Sequence, residues 1–530
     1  MADAVVIGAG PNGLVAANLL ADAGWSVEVL EAQPEPGGAV RSGEVCEPGF
    51  VHDRFSSFYP FAQMPGPIPR LGLEEHGLRW RRSPHVLASV RPGDGTAALL
   101  GGALDETTAL LDDPADGRPW ELLMARWRRL ERPFARAFFS PFPPLAGPAG
   151  IAARTRPRDL LRLARFLALE VRRMGEEHFR GRDARELLAG TALHADLAPE
   201  AVGSGAFGWI MCGLGQRHGF PVPEGGSSAL TRALVARLEA RGGRLRCEVP
   251  VERVVVRDGR ARAVRTAHGD EVPARHAVVA DVEARALYLR LVGPELLSRR
   301  VLADLERFQL DSSTVKVDWS LDGPIPWASE HARRAACLHV TDGVDELTTT
   351  MAQMATRRIP DTPFLVMGQY AVADPMRQPV GKDTAWAYTH VPQDVREDAA
   401  GELSGRWSRD ELERLADRMQ ARVEQAAPGF GGLVRRRVVT GPEQLAEQDA
   451  NLAGGALNGG TAHLHQLAMF RPIPAQAGRP ETTIGRLFLA SASAHPSGGV
   501  HGAPGAIAAR AALVHAAPAR LAKLAAQGRL

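Results

Sequence analysis

The stretch VVIGAGPNGLVAANLLADAGWSVEVLE, residues 5–31, constrains this chain more than any other. Val5, Val6 and Ile7 form a β-branched apolar run, the mark of a strand buried on both faces. Gly8, Gly10 and Gly13 follow in G-x-G-x-x-G spacing around Pro11 and Asn12, and Leu14, Ala17, Asn18, Leu19 and Leu20 continue as a helix. The first glycine permits the tight turn, the second lets backbone approach a pyrophosphate, and the third lets helix and strand pack closely. The helix N-terminus adds unpaired N–H donors and the positive end of a dipole, which favour phosphate oxygens. A second strand, residues 26–30, ends in Glu31 and Ala32, where a carboxylate can accept hydrogen bonds from ribose hydroxyls. Strand, glycines, helix, strand and acid share one βαβ unit of roughly 30 residues, the context the fingerprint requires. The unit is a dinucleotide site. Glu31 argues against a 2′-phosphate but does not separate NAD from FAD.

Three further features favour FAD. The chain holds one such glycine unit, whereas an enzyme that also carries a nicotinamide nucleotide usually shows two. PGGAVR at 36–41 extends the unit with Gly37, Gly38 and Arg41, suited to a longer cofactor with a second phosphate that needs close backbone and a cation. Near the other end, Gly498, Gly499, Gly502 and Gly505 precede a helix, whose dipole can face the flavin edge that becomes negative on reduction.

At 530 residues the chain exceeds one simple core, so two packed lobes are expected. A net charge of +2 with scattered basic residues gives no footprint for nucleic acid. Cys46, Cys212, Cys247 and Cys337 include no C-x-x-C pair, so neither a metal site nor a dithiol redox centre is expected. The N-terminus enters a strand at once and no apolar run reaches the ~18 residues of a membrane span, which points to the cytoplasm.

Along the chain, residues 87–90 and 96–100 flank a Gly-Asp-Gly turn, and 120–174 is helical with a break at 140–150. Leu230, Leu234 and Leu238 share one helix face, a hairpin turns at Asp258-Gly259, and AVVADV at 277–282 is a buried strand. Residues 312–320 alternate, with Val315, Val317 and Trp319 opposite Thr314, Lys316 and Asp318, which predicts a half-buried strand. Residues 408–426 are helical, and the chain closes as strand, glycine loop and helix. The fold class is therefore α/β: a Rossmann-type FAD-binding domain assembled from separated segments, 1–95, 216–300 and 478–530, plus an α+β substrate domain from 96–215 and 301–477.

The motifs GAGPNGL (8–14), EAQPEPGGAVRS (31–42), PGFVHD (48–53), VPEGG (222–226), NGGTAHLHQLAMFRP (458–472) and HPSGGVHGAPG (495–505) resemble the phytoene-desaturase-like branch of the FAD-dependent amine oxidase superfamily. The sub-branch it most resembles takes its name from a pyridine nucleotide-disulfide oxidoreductase domain, although no redox cysteine pair exists here. The resemblance implies pyrophosphate contacts at Gly8, Gly10 and Gly13, ribose at Glu31, and the pyrophosphate and ribityl chain along Gly37, Gly38 and Arg41. It places backbone of Val251 at the adenine, and Gly499, Val500 and the following helix, with Gly502, near the isoalloxazine. Ser491 and Ser497 stand where the family often has glycine.

The flavin accepts the electrons in hydride chemistry, so the protein orients substrate and supplies at most one base. Histidine suits that task, and His495 and His501 flank the flavin loop. His52, His218, His463 and His465 also lie in or beside the motifs, and His52 offers a covalent tether. Amine oxidases of the superfamily use a lysine through water near flavin N5. Lys316 fits that role, although a strand lysine facing solvent is the commoner case. Residues 154–174 put Leu160, Leu163, Leu167, Val171 and Met174 on one face against several arginines, which suits a core helix with a solvated basic face or a peripheral membrane contact. The expectation is a dehydrogenase or desaturase that moves a hydride from a carbon of a largely hydrophobic small molecule to flavin N5, with an electron acceptor as its second partner. An amine oxidase, a redox-neutral flavin isomerase and a non-catalytic flavin-binding protein are the rivals.

Overall fold

The computed structural model describes residues 1–516; the end of the 478–530 segment lies outside them. The first sheet is built on β1 (Ala2–Ile7), which the glycine loop joins to helix α1 (Pro11–Asp22) and then to β2 (Val27–Leu30). Helix α2 (Ser228–Ala240) leads into β3 (Arg244–Arg246), β4 (Val251–Arg257), β5 (Arg260–Thr266) and β6 (Glu271–Ala280). β7 (Leu487–Leu489) and helix α3 (Ala503–Ala516) complete the unit. β3, β2, β1, β6 and β7 lie side by side and parallel, while β4 and β5 extend the early half of β6 as an antiparallel meander. Asp258 and Gly259 both take positive φ in the tight turn of that meander, as its two-residue length demands. Val6, Leu14, Val29, Leu230, Leu234 and Ala509 fill one face of the sheet. Val5, Ile7 and the meander pack on the other against residues 286–308.

The second sheet has seven strands, including His85–Val90, Ala97–Gly101, Ser313–Leu321, Leu365–Gln369 and Asp383–Val391. Both strands of the 85–101 hairpin belong to it. The lobe boundary placed at 95/96 therefore cuts a hairpin that pairs as one unit, and the change of sheet comes before His85.

The strand Ser313–Leu321 is buried at every position, which corrects its reading as half-buried. Helix Arg409–Ala426 covers the side of Val315, Val317 and Trp319. Thr314, Lys316 and Asp318 are turned to the other side and are 2%, 3% and 2% exposed, so Lys316 does not face solvent. Alternating polar residues here mark a polar interior.

Five helices, Gly117–Phe138, Leu160–Ala168, Val171–His178, Asp183–Ala192 and Ser204–His218, close over part of the same side around Trp120, Trp127 and Trp209. The 154–174 stretch is two helices, broken at Leu169 and Glu170. Phe166, Val171 and Met174 are buried, while Leu161 is 81% exposed. No helix of the described residues is long and apolar enough to cross a membrane.

A buried cation joins the lobes. Arg377, from the second lobe, donates to Asp53 Oδ2 at 2.8 Å, Asp374 Oδ2 at 3.0 Å and the Pro223 carbonyl at 2.9 Å. Tyr370 adds its hydroxyl to the same Asp53 oxygen at 2.8 Å. The other Asp53 oxygen accepts the Ser227 N–H at 2.7 Å at the start of α2, and Asp374 accepts the Gly225 N–H at 2.7 Å. The VPEGG motif is thus the loop that this cluster gathers. All three charged side chains are wholly buried, so removing one leaves the others without a counter-charge or water. Arg377→Met is expected to lose about 3–5 kcal/mol in urea unfolding followed by circular dichroism; an unchanged midpoint would show that the lobes are held together elsewhere.

Candidate active site

At the end of β1 the backbone is shaped for a phosphate. Cβ atoms added at Gly10 and Gly38 would lie 2.6 Å from Asp281 Oδ2 and 3.1 Å from the Gly10 Cα, so the two glycine loops press together. The N–H groups of Gly10, Asn12, Gly38 and Ala39 make no hydrogen bond among the described residues, and Asn12 Oδ1 is buried without a partner. Those donors stand at the N-terminus of α1, the arrangement that holds anions. Pro11 opens the helix at a position where no N–H is needed. Gly13 packs directly on the Gly8 carbonyl and donates its N–H to Asp281 Oδ2 at 2.8 Å.

Glu31 ends β2 beside Ala32, 8% exposed, and accepts the Ala9 N–H at 2.7 Å and the Gln33 N–H at 2.9 Å. Its carboxylate is thereby fixed against the glycine turn, with lone pairs left for ribose hydroxyls. The Val249 N–H donates to the Glu31 carbonyl at 2.8 Å, which brings the start of β4, with Val251, against the end of β2. Arg41 donates to the carbonyls of Gly38 at 3.0 Å and Gln448 at 2.5 Å, bracing the second glycine loop.

Asp281, at the end of β6, was not among the residues singled out from sequence, although an acid at the carboxyl end of a central parallel strand is a usable signal. Burial, with the nearby charges of Asp449 and Glu31, pushes its carboxyl up to about 8. It is protonated at neutral pH and stands beside the phosphate donors.

At the far end of this trough, Gly498, Gly499 and Val500 border a cavity of about 270 Å³ between the lobes. Its walls are mostly aromatic and aliphatic, among them Phe55, Phe58, Phe138, Met211 and Trp386. Adjacent strands form its floor, where they place Thr314 opposite His390 and Lys316 opposite Tyr388, and Ser56, Ser57, Thr191, His194, Asn458 and Ser497 also line it. Lys316 is ion-paired with Asp318 along its own strand. His390 Nε2 lies 3.0 Å from Asp196 Oδ1. Burial alone would lower the His390 pKa, but the Asp196 charge outweighs it and raises it.

The loop carrying Asn458 is clamped from both sides. Asp311 accepts the N–H groups of Leu457 and Asn458 at 2.7 Å and of Gly460 at 2.9 Å. Arg471, fully buried, donates to the carbonyls of Asn458 at 2.7 Å, Thr461 at 2.9 Å and Ala492 at 2.8 Å. Asn458 in turn abuts Gly498, where a Cβ would sit 2.7 Å from its Cα.

Of the three candidate catalytic groups, only Lys316 lines the cavity. His501 is enclosed by Phe61, Phe138 and Phe139, accepts the Ala503 N–H at Nδ1 (3.1 Å), and has Nε2 3.2 Å from the Gly498 carbonyl. Burial lowers its pKa to about 4, so it is a neutral brace within the loop. His495 is buried beside Phe142, likewise lowered to about 4 by burial. His52 is buried between the carbonyls of Phe50 and Trp319. Gly502 turns toward Val15 of α1, while Ser497 lines the cavity with φ 139°, a value that strains a residue with a Cβ. His390, Asp196 and Tyr388 carried no motif signal, because strand pairing and loop packing bring them in, whereas Asn458 opens the NGGTAHLHQLAMFRP motif.

A two-lobed fold with a phosphate trough running into an apolar cavity defines a dinucleotide-binding oxidoreductase. The sequence pattern described as flavin containing amine oxidoreductase matches residues 12–512, and the chain belongs to that family. A mouse protein named pyridine nucleotide-disulfide oxidoreductase domain-containing protein 2 is 26% identical, covering 95% of this chain and 92% of its own. The zeta-carotene-forming phytoene desaturase of Myxococcus xanthus is 24% identical over 94% of this chain and 90% of its own. A triple mutant of putrescine oxidase shares the fold, with TM-score 0.61 at 16% identity over 97% of this chain and 98% of that one. The cofactor is FAD, and the residues present fit it: the glycine loops would hold the pyrophosphate, Glu31 the ribose, and Gly498–Val500 would approach the ring.

Two outcomes follow from the trough. Gly10→Val is expected to yield folded protein with little bound flavin, read from the visible spectrum against protein absorbance. As pH rises through about 8, Asp281 gains a negative charge beside the pyrophosphate, so FAD retention on dialysis should fall between pH 7 and 9. Asp281→Asn should flatten that dependence; an equal pH loss in the variant would remove Asp281 from the account.

Proposed function

We propose that this chain is an FAD-dependent dehydrogenase or desaturase that removes a hydride from a carbon of a largely hydrophobic organic substrate. The observation that carries this reading is the cavity itself, largely apolar on its walls and bordered by the loop 498–500, with Thr314, Lys316, Tyr388 and His390 together on one strand pair. The bound flavin supplies the electron sink. Phe55, Phe58 and Trp386 hold the substrate's apolar body and exclude water, which strengthens every polar contact made inside. The clamp of Asp311 and Arg471 fixes Asn458, and through it the loop against which the reacting carbon must sit.

His390 takes the proton that leaves with the hydride. It reaches the cavity, and its partner Asp196 stabilises the imidazolium that forms. Asp196 is itself fixed by the Ser312 N–H at 2.9 Å. The Myxococcus relative is named a zeta-carotene-forming phytoene desaturase, and desaturation agrees with this reaction.

The deciding experiment is an anaerobic screen of apolar alcohols, acids, ketones and alkenes for bleaching of the flavin band. With a substrate in hand, His390→Gln is expected to lower kcat about 10²–10⁴-fold with flavin content unchanged. Because the His390 pKa is raised, activity should fall as pH drops through a value above the usual 6.5 for histidine, and that limb should vanish in the variant. Turnover of amines with peroxide release, lost in Lys316→Met, would instead make the protein an amine oxidase.

A further inference from the structure

Among the described residues, neither an aspartate nor a glutamate lines the cavity, and Lys316 is the one lysine or arginine that does. The carboxylates of the floor are held away from the space: Asp318 pairs with Lys316 along the strand, and Asp196 stands behind His390. Of each pair it is the nitrogen-bearing residue, Lys316 or His390, that lines the cavity. Tyr388 stands directly opposite Lys316 across the strand pair and Thr314 two residues before it, and all three line the cavity. Burial raises the Tyr388 pKa well above its usual value, so the phenol keeps its proton as a donor. Thr314 Oγ1 and His390 Nδ1 are buried with no partner among the described residues. A buried polar atom without a partner is costly, and a group that satisfies it is correspondingly favoured.

From this floor we infer that the substrate is an apolar molecule carrying an oxygen acceptor, a carboxylate or a carbonyl, which Lys316, Tyr388 and Thr314 hold while the apolar remainder lies against the aromatic walls. An ammonium group would meet the Lys316 charge with no carboxylate to receive it. Lys316 is on this view a binding and positioning residue. Its ion pair with Asp318 fixes where the ammonium stands, so the oxygen group anchors one end of the substrate and sets which carbon comes to the flavin. The inference rests on the cavity being the substrate site, and it names the class of substrate rather than the reaction.

The test uses matched chains: octanoate, octan-2-one and octylamine titrated into the flavin-loaded protein, followed by perturbation of the flavin spectrum and by calorimetry. Octanoate or octan-2-one should bind at least about tenfold tighter than octylamine, about 1.4 kcal/mol. Lys316→Met should remove most of that preference, and Tyr388→Phe should weaken both oxygen probes while leaving octylamine unchanged. Lys316→Met strands Asp318, so Lys316→Met/Asp318→Asn is measured beside it as the charge-balanced control. Octylamine binding as tightly as the oxygen probes, or oxygen-probe binding indifferent to all three variants, would overturn the inference. Protein that purifies without flavin and takes up none would overturn the proposed function instead, while the calorimetric comparison would still decide the substrate class.

Discussion

The molecule depends on a positive charge with nowhere else to go. Arg377 is sealed from water between the lobes, and a guanidinium in that position is tolerable only because Asp53 and Asp374 meet it in hydrogen-bonding geometry. Each carboxylate is also committed elsewhere, Asp53 to the Ser227 N–H just before α2 and Asp374 to the Gly225 N–H in the loop ahead of it. The charge therefore sets where one lobe stands on the other. The cavity exists only at that relative placement, since its floor comes from the second sheet and its rim from loops of the first lobe.

A similar economy governs the loop at Asn458. An irregular segment carries backbone donors and acceptors that no ladder satisfies. Here one buried acid collects the N–H groups and one buried arginine collects the carbonyls. Burial lowers the Arg471 pKa to about 10, still far above neutrality, so the arginine keeps its charge without a salt-bridge partner among the described residues. The flavin-facing loop rests on this segment through the contact of Gly498 with Asn458. The rigidity of the site is thus supplied by backbone hydrogen bonds to two charged side chains, with regular structure playing a smaller part.

What the sequence reveals about such a molecule follows from how local each cause is. The strand, turn, helix and acid of residues 5–31 are legible because every group acts on a neighbour within that span. The tight turn at Asp258-Gly259 and the helix at 409–426, begun by Ser408 accepting the Glu411 N–H, are legible for the same reason. The alternation of 313–321 identifies two faces but says nothing about what covers each, so Lys316 reads as a surface residue until the packing is known. His390 and Asp196 belong to distant segments and meet only through the tertiary fold. Histidines beside recognisable motifs drew attention for their position, yet His501 spends both ring nitrogens on its own loop. The 85–101 hairpin was legible as a hairpin, while its membership of the second sheet depends on pairing with Ala335–Val340.

The separated segments of the first lobe have a consequence for synthesis. α1 is covered by α3, where Gly505 presses on the backbone of Asn12, and β7 joins the sheet beside β6 only near the chain's end. At ribosomal speed the first strand emerges roughly half a minute to two minutes before those last pieces exist. Throughout that interval the flank of α1 that α3 covers and the edge of β6 that β7 pairs with have no partner. The nucleotide cradle is finished only once those late segments have been made. In the cell, the supply of FAD and the shielding of that young surface both bear on the same stretch of time, between the first strand and the segments that cover it.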